Sequence, residues 1–247
     1  MVYTVTNQKG GTGKTTTAAT MWAGLNARGS KALAIDLDPQ KNMTFIAGAE
    51  FKGLTVLDII NGTADTEKAV QHTTQGDIIT ASEWLAGADM VVRSPDKLRT
   101  ALETIRTKYD YIIIDTAPAL GALTLNALTA SDSVVIPAAA DILSIQGISA
   151  LYDVIKDIRN HSNPALTIAG ILLTRQNPRA TITKQLTEGL NAAAGKMGTR
   201  LFNATIRECV TTKEAQALQK SVFEYAPRAN VTADYNAFLD ELLSLNA

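Results

Sequence analysis

The sequence predicts an α/β fold: a doubly wound, mostly parallel sheet with helices on both faces. Three observations predict it. Short β-rich segments alternate with helical ones along nearly the whole chain. The β-rich segments are near-continuous apolar runs rather than alternating ones, as expected when both faces of a sheet are covered. The first of them also leads through a glycine-rich turn directly into a helical segment.

Val2–Thr6 opens the chain as a strand, and Thr15–Ala27 follows the glycine turn as a helix ending at Arg28-Gly29, a C-cap pattern. Lys31–Leu37 reads as a buried strand with Asp36 and Asp38 at its carboxyl end. Leu54–Asn61 reads as a short helix and Asp77–Ala81 as a short strand. Pro95 suits the first residue of a helix running to about Lys108, since proline lacks the N–H that a first turn leaves unpaired. Tyr111–Ile114 is a strongly β run ending at Asp115, and Val134–Pro137 is the next strand. A helix over Ser144–Asn160, a strand over Leu166–Leu173 and a helix over Thr181–Ala194 come next. Leu201–Ile206 is the last extended segment, and helices over Thr212–Gln219 and Val231–Leu245 close the chain. The stretch from about Lys41 to Met90 is the least regular, with several Gly and Thr residues. It is the place for mobile switch segments or an inserted lobe.

Composition narrows the function. The chain has 247 residues, 46% hydrophobic and 19% charged, which suits one well-cored domain spanning 1–247. The net charge of −1 announces no nucleic-acid binder. Any DNA contact must come from a local basic patch doubled by dimerisation. The single Cys209 excludes an internal disulfide, a cysteine-only zinc site within one chain and a CxxC redox pair. With only His72 and His161, a histidine metal site is not expected either. There is no stretch of 18 apolar residues and no basic, then apolar, leader, so a cytoplasmic protein is expected. The chain also enters its first strand at once, so no N-terminal helix-turn-helix domain is expected.

The glycine turn carries the chemistry. Gly13-Lys14-Thr15 fit the end of the phosphate-binding pattern Gly-x4-Gly-Lys-Ser/Thr between a strand and a helix. Gln8 stands where the first glycine of that pattern falls, and an extra lysine, Lys9, precedes Gly10-Gly11. Gly10, Gly11 and Gly13 let successive backbone N–H groups turn inward around an anion, with Thr12 between them. The helix N-terminus, with Thr16 in its first turn, adds its positive dipole end. Lys14 is placed for β- and γ-phosphates and the Thr15 hydroxyl for Mg²⁺.

Lys9-Gly-Gly-Thr-Gly-Lys-Thr-Thr resembles the deviant Walker A motif of the ParA/MinD ATPases, with Thr12 where the family form usually has Val. The resemblance extends over nearly the whole chain. It takes in Asp36-Leu-Asp-Pro-Gln40 with Asn42 and Thr44, and Leu-Ala-Gly-Ala within Ser82–Ala88. It also takes in Tyr109–Pro118 with Asp115 as the Walker B acid, Leu172-Leu-Thr174, and Glu214-Ala215. It implies ATP and Mg²⁺ as ligands, ATP hydrolysis, and a face-to-face homodimer formed on ATP in which Lys9 reaches the partner's phosphates. Asp38 would position the attacking water, and Asp36 and Asp115 would support Mg²⁺ beside Thr15. Thr116–Gly121 would be a second switch segment. The adenine would lie near Thr174–Asn177, Arg175 included, and near the Pro227-Arg228 turn.

For function, the resemblance implies DNA segregation. The ATP-bound dimer binds nonspecific DNA on the nucleoid, and a ParB-like centromere-binding partner stimulates hydrolysis and release. Candidate DNA contacts are Arg175, Arg179, Lys184, Arg200, Arg207, Lys213, Lys220 and Arg228. The chain departs from the family where Arg207-Glu208-Cys209 replaces a frequent Pro-Arg-Asn. Positioning of another cargo, or maintenance of a mobile element, stays open because the machinery would be the same. A MinD-like membrane role lacks the basic C-terminal helix it needs: Val231–Ala247 holds Asp234, Asp240 and Glu241 and no Lys or Arg. A reductase like the nitrogenase iron protein needs paired cysteines that this chain lacks.

Overall fold

The computed structural model describes residues 1–88, 92, 94–176 and 183–245. Its strands are β1 (Val2–Val5), β2 (Ala32–Leu37), β3 (Val70–Thr73), β4 (Gly76–Ile79), β5 (Tyr111–Thr116), β6 (Ser133–Ala139), β7 (Thr167–Gln176) and β8 (Leu201–Arg207). They form one sheet in the order β3-β4-β2-β5-β1-β6-β7-β8. All pairs are parallel except β3–β4 at the edge. Its α-helices are α1 (Lys14–Ala27), α2 (Asn42–Ile46), α3 (Val56–Ile60), α4 (Lys97–Leu102), α5 (Ala122–Ala130), α6 (Ile142–His161), α7 (Thr183–Lys196), α8 (Val210–Ala217), α9 (Val222–Tyr225) and α10 (Asn230–Ser244).

The apolar runs are continuous because the period-two alternation feeds two cores. Tyr3, Val5, Ala34, Ile113 and Val135 face α1 and α10, packing with Met21, Trp22, Leu25, Phe238 and Leu239. Val2, Leu33, Ile35, Ile112 and Ile114 face the other way, toward α3, α4 and α5. Val134, Ile136, Ile171 and Leu173 continue that second face beneath α6 and α7.

The structure redraws several predicted elements. The Lys41–Met90 stretch is no inserted lobe among its described residues: β4 pairs with β2 and extends the sheet, and β3 folds back on β4 as its edge. The helix expected from Pro95 to Lys108 begins at Lys97 and ends at Leu102, followed by a 3₁₀ turn over Arg106–Lys108. β-Branched Thr104, Ile105 and Thr107 disfavour continuing the helix, and Ile105 stays in the core. Pro137 lies inside β6, two residues beyond the last β1 pairing at Val135, and the Asn7 side chain donates to its carbonyl at 2.7 Å. No helix among the described residues is long and apolar enough to cross a membrane.

This topology decides where a ligand can sit. The chain runs from β1 to one side, returns at β5, then crosses to β6 on the other side. The carboxyl ends flanking β1 are therefore a switch point, where open α/β sheets bind ligands.

Candidate functional site

The turn from β1 into α1 sits at that switch point. Gly11 and Gly13 have φ of 74° and 80°, left-handed values that a residue with a Cβ adopts only under strain. α1 starts at once, with Thr17 N donating to Gly13 O at 2.8 Å. Its first-turn N–H groups therefore point toward the turn, an arrangement suited to an anion. Outside supports hold the loop in place. Lys9 N donates to Asn7 Oδ1 at 3.1 Å, Thr174 Oγ1 to Thr12 O at 2.8 Å, and Arg175 Nη1 to Gly11 O at 3.1 Å.

The two loop lysines point differently. Lys14 is buried and its ammonium donates to Lys9 O at 3.0 Å. Burial lowers its pKa, against the pull of Asp115 and Asp38, which favour the charged form. Lys9 is part-exposed, and its ammonium forms an ion pair with Asp141, the residue that caps α6.

The acids gather beside Lys14. Asp36 and Asp115 are register partners on β2 and β5 and both are fully buried. Asp36 has donors: Thr44 N and Thr44 Oγ1 at 2.8 Å each, and Asp38 N at 3.0 Å. Burial still pushes its carboxyl up to about 6, past the opposing pull of those hydrogen bonds. Asp115 has neither oxygen hydrogen-bonded. Burial, reinforced by the Asp36 charge, pushes its pKa well above the usual carboxylate range, and the nearby Thr15 hydroxyl and Lys14 ammonium do not offset this. Asp38 is nearly buried, with Oδ1 accepting from Gln40 N at 2.9 Å.

A buried carboxylate with both oxygens unsatisfied needs a cation or a proton. Among the described residues no three His, Cys, Asp or Glu side chains form an all-protein metal cluster. The donors here are hard oxygens, few in number, beside an anion cradle. That set fits Mg²⁺, which keeps most of its ligands as water and phosphate oxygens.

Next to the loop, a cavity of about 340 Å³ opens between the ends of β7 and β8 and helix α8. Gly11, Gly13, Thr16, Thr174 and Arg175 line its loop side; Ile206, Cys209, Thr212, Gln216 and Tyr235 are among those lining the rest. Gln216 Nε2 donates to Thr16 Oγ1 at 3.0 Å and so ties α8 to the first turn of α1. Of the residues expected beside a base, Thr174 and Arg175 line this cavity. Pro227 and Arg228 do not: they are exposed in the turn between α9 and α10.

Three of the six described basic residues expected at DNA are engaged by acids. Arg175 pairs with Glu208 at 2.9 Å, and Lys220 with Glu224 at 2.7 Å. Arg207 forms a two-pronged pair with Asp234, at 2.6 and 2.8 Å. Among the described residues Lys213, Arg200 and Arg228 are exposed with no ion pair, and Lys213 lines the cavity. Asn177, Arg179 and the side chain of Lys184 lie outside what is described. Asp141 and Gln216 are site neighbours that the sequence reading missed. Only the Asp141-x-x-Ser144 capping pattern pointed to the first.

Comparison with known proteins agrees with this geometry. A family model described as an AAA domain matches residues 1–168. The chain is 37% identical over 236 residues to the sporulation initiation inhibitor protein Soj of Bacillus subtilis, covering 92% of each chain. It is 33% identical over 253 residues to the chromosome partitioning protein ParA of Caulobacter vibrioides, covering 98% of this chain and 94% of that one. Among solved structures it resembles cobyrinic acid a,c-diamide synthase from Mycobacterium smegmatis with bound ATP analogue and magnesium. The TM-score is 0.86 at 29% identity, covering 98% of this chain and 93% of that one. A glycine cradle, an orphaned acid beside it and likeness along the whole chain together place this protein in the ParA/Soj family of partition ATPases.

Proposed function

We propose that the chain is an ATP-hydrolysing partition switch, a single ATPase domain that dimerises on ATP and binds nonspecific DNA in that form. Hydrolysis, stimulated by a ParB-like centromere-binding partner, would release it. The observation that carries the reading is Asp115, buried and unbonded at the lip of the Gly10–Thr16 cradle. The relatives' names add partition, and a structural relative's ATP analogue and magnesium add the ligand class.

Each residue then has a physical task. The backbone N–H groups of Gly10–Thr16 take the phosphates, and Lys14 neutralises their charge in a low-dielectric site. Thr15 and Asp115 would hold Mg²⁺ with Asp36 supporting them, and the ion would supply charge neutralisation at the phosphate oxygens. Asp38, one residue past β2 and held by Gln40 N, orients water for in-line attack. Lys9 contributes across the dimer. The cavity lined by Thr174, Arg175 and Gln216 takes the nucleoside. The protein works in the cytoplasm on the nucleoid, away from membranes.

A second reading, positioning of another cargo by the same switch, draws support from the ion pairs that occupy Arg175, Arg207 and Lys220. One experiment separates the two: retention on nonspecific DNA at low salt, with ATP, with ADP, and with Lys14→Ala as control. Retention in ATP alone, lost in the variant, supports partition. No retention in ATP refutes the DNA half of the proposal and leaves the cargo reading.

A further inference from the structure

Asp141 divides its two carboxylate oxygens between two tasks. Oδ1 accepts from Ser144 N at 2.9 Å and caps α6. Oδ2 takes the Lys9 ammonium and faces Ser144 Oγ at 3.3 Å. The fit between the phosphate loop and the start of α6 is close. A Cβ added at Gly147 would meet Asn7 Oδ1 at 3.2 Å and Lys9 Cβ at 3.8 Å. The Lys9 backbone is fixed from both sides, by Asn7 Oδ1 at its N–H and by the Lys14 ammonium at its carbonyl. Only side-chain torsions are left to decide whether the Lys9 ammonium rests on Asp141 or reaches outward.

We propose that Asp141 is a positioning residue for Lys9: it holds that ammonium within its own chain, so that cross-dimer engagement of Lys9 has to break the Lys9–Asp141 pair. This rests on the dimer reading above and adds to it a cost that sets how readily ATP assembles the dimer. The Lys9 and Asp141 side chains are 28% and 36% exposed, which makes the pair a partly screened one. Such pairs are weak enough for a triphosphate to displace. A dimer breaks two of them, so the cost enters twice and weakens association by roughly 2- to 30-fold.

The test is Asp141→Asn. Asparagine is as good an N-cap as aspartate, so α6 keeps its start while Lys9 loses its counter-charge. Two readouts are taken. In sedimentation with saturating ATP analogue, the variant is expected to dimerise roughly 2- to 30-fold more tightly than the unaltered chain. In protein without nucleotide, acetylation of Lys9 by a water-soluble succinimidyl ester, followed by mass spectrometry, is expected to be faster in the variant. Adding Lys9→Ala should erase the gain in association. An unchanged dimer constant, unchanged labelling, or a gain that survives Lys9→Ala would each overturn the proposal. A chain that stays monomeric with ATP analogue in both forms overturns the dimer reading itself, and the labelling arm then judges the Lys9–Asp141 pair separately.

Discussion

At the carboxyl ends of β2 and β5 two carboxylates are buried with no ion-pair partner among the described residues, whereas around the ends of β7, β8 and α8 three candidate DNA-binding cations, half-buried or exposed, already hold acids. The first arrangement is costly. Asp36 and Asp115 face each other across neighbouring strands, out of water, and like charges directly opposed on a sheet repel. A fold keeps such a pair when something else brings the missing positive charge. The second arrangement costs little and yields little, because exposed ion pairs contribute at most about 1 kcal/mol and are screened by salt. One region is unfinished without a ligand. The other is finished without one, and a phosphate backbone would have to compete for its cations.

The sharpest way to break this contrast is Asp38→Ala. The variant should still bind ATP, because the phosphate cradle and Lys14 are untouched. If Asp38 orients the attacking water as proposed, its loss should lower turnover by at least about 100-fold. Turnover within a factor of two of the unaltered chain would remove Asp38 from the reaction.

A smaller effect tests the buried acids through pH. The Asp36 carboxyl is raised to about 6 from an ordinary 3.8. Its folded-state value therefore lies above the unfolded one. Above about pH 6 the group is ionised in both states, and the fold bears the cost of the buried charge. As pH falls from 6 toward 4 the folded chain takes up a proton before the unfolded chain does, so stability from this group rises. Each pKa unit is worth 1.36 kcal/mol, so the gain is on the order of 3 kcal/mol. The measurement is the difference in urea unfolding free energy between the unaltered chain and Asp36→Asn, taken without Mg²⁺ or nucleotide. That difference should move in favour of the unaltered chain as pH drops from 7 to 4. With Mg²⁺ and ATP present the trend should flatten, since a bound cation favours the ionised carboxylates. A flat or reversed difference in the ligand-free series would mean that Asp36 is not under the strain its burial implies.

The two regions also differed in how much the sequence disclosed. The cradle was legible because each residue type there answers a local need: glycine for a left-handed turn, lysine for phosphate charge, a strand-end acid for a metal. Asp36 and Asp115 were legible for the same reason, although their register pairing needed the sheet. Asp141 was not, because its partner Lys9 lies 132 residues away and the acid reads locally as a helix cap. The cations were visible as residues, but Arg207 at the end of β8 meets Asp234 on α10, and no local pattern announces that pair. Lys220 and Glu224 are four apart, but Lys220 stands before the Ser221 cap of α9, outside any helix, so helical spacing did not pair them. In the fold, β3 escaped notice because Val70–Thr73 is a half-exposed edge strand that shows no apolar run.

The smallest expected effect sharpens the basic side of the contrast. Glu208 neutralises Arg175 in a pair whose side chains are both about half exposed. Glu208→Gln keeps the size of the side chain and removes its charge, so folding stability should change by less than about 1 kcal/mol. DNA retention responds differently. If partner acids are what restrain these cations, the variant frees one per subunit and two per dimer. At about 0.9 per phosphate engaged, the slope of log affinity against log salt should steepen by up to about 2, with tighter ATP-dependent binding at low salt. The comparison needs only unaltered and variant chains titrated with nonspecific duplex at several salt concentrations. An unchanged slope would show that Arg175 faces no phosphate, because the Gly11 carbonyl that also accepts from its guanidinium would still hold it against the loop. Glu208 would then bear on the cavity it lines, and any DNA contact would have to be sought at Lys213, Arg200 and Arg228.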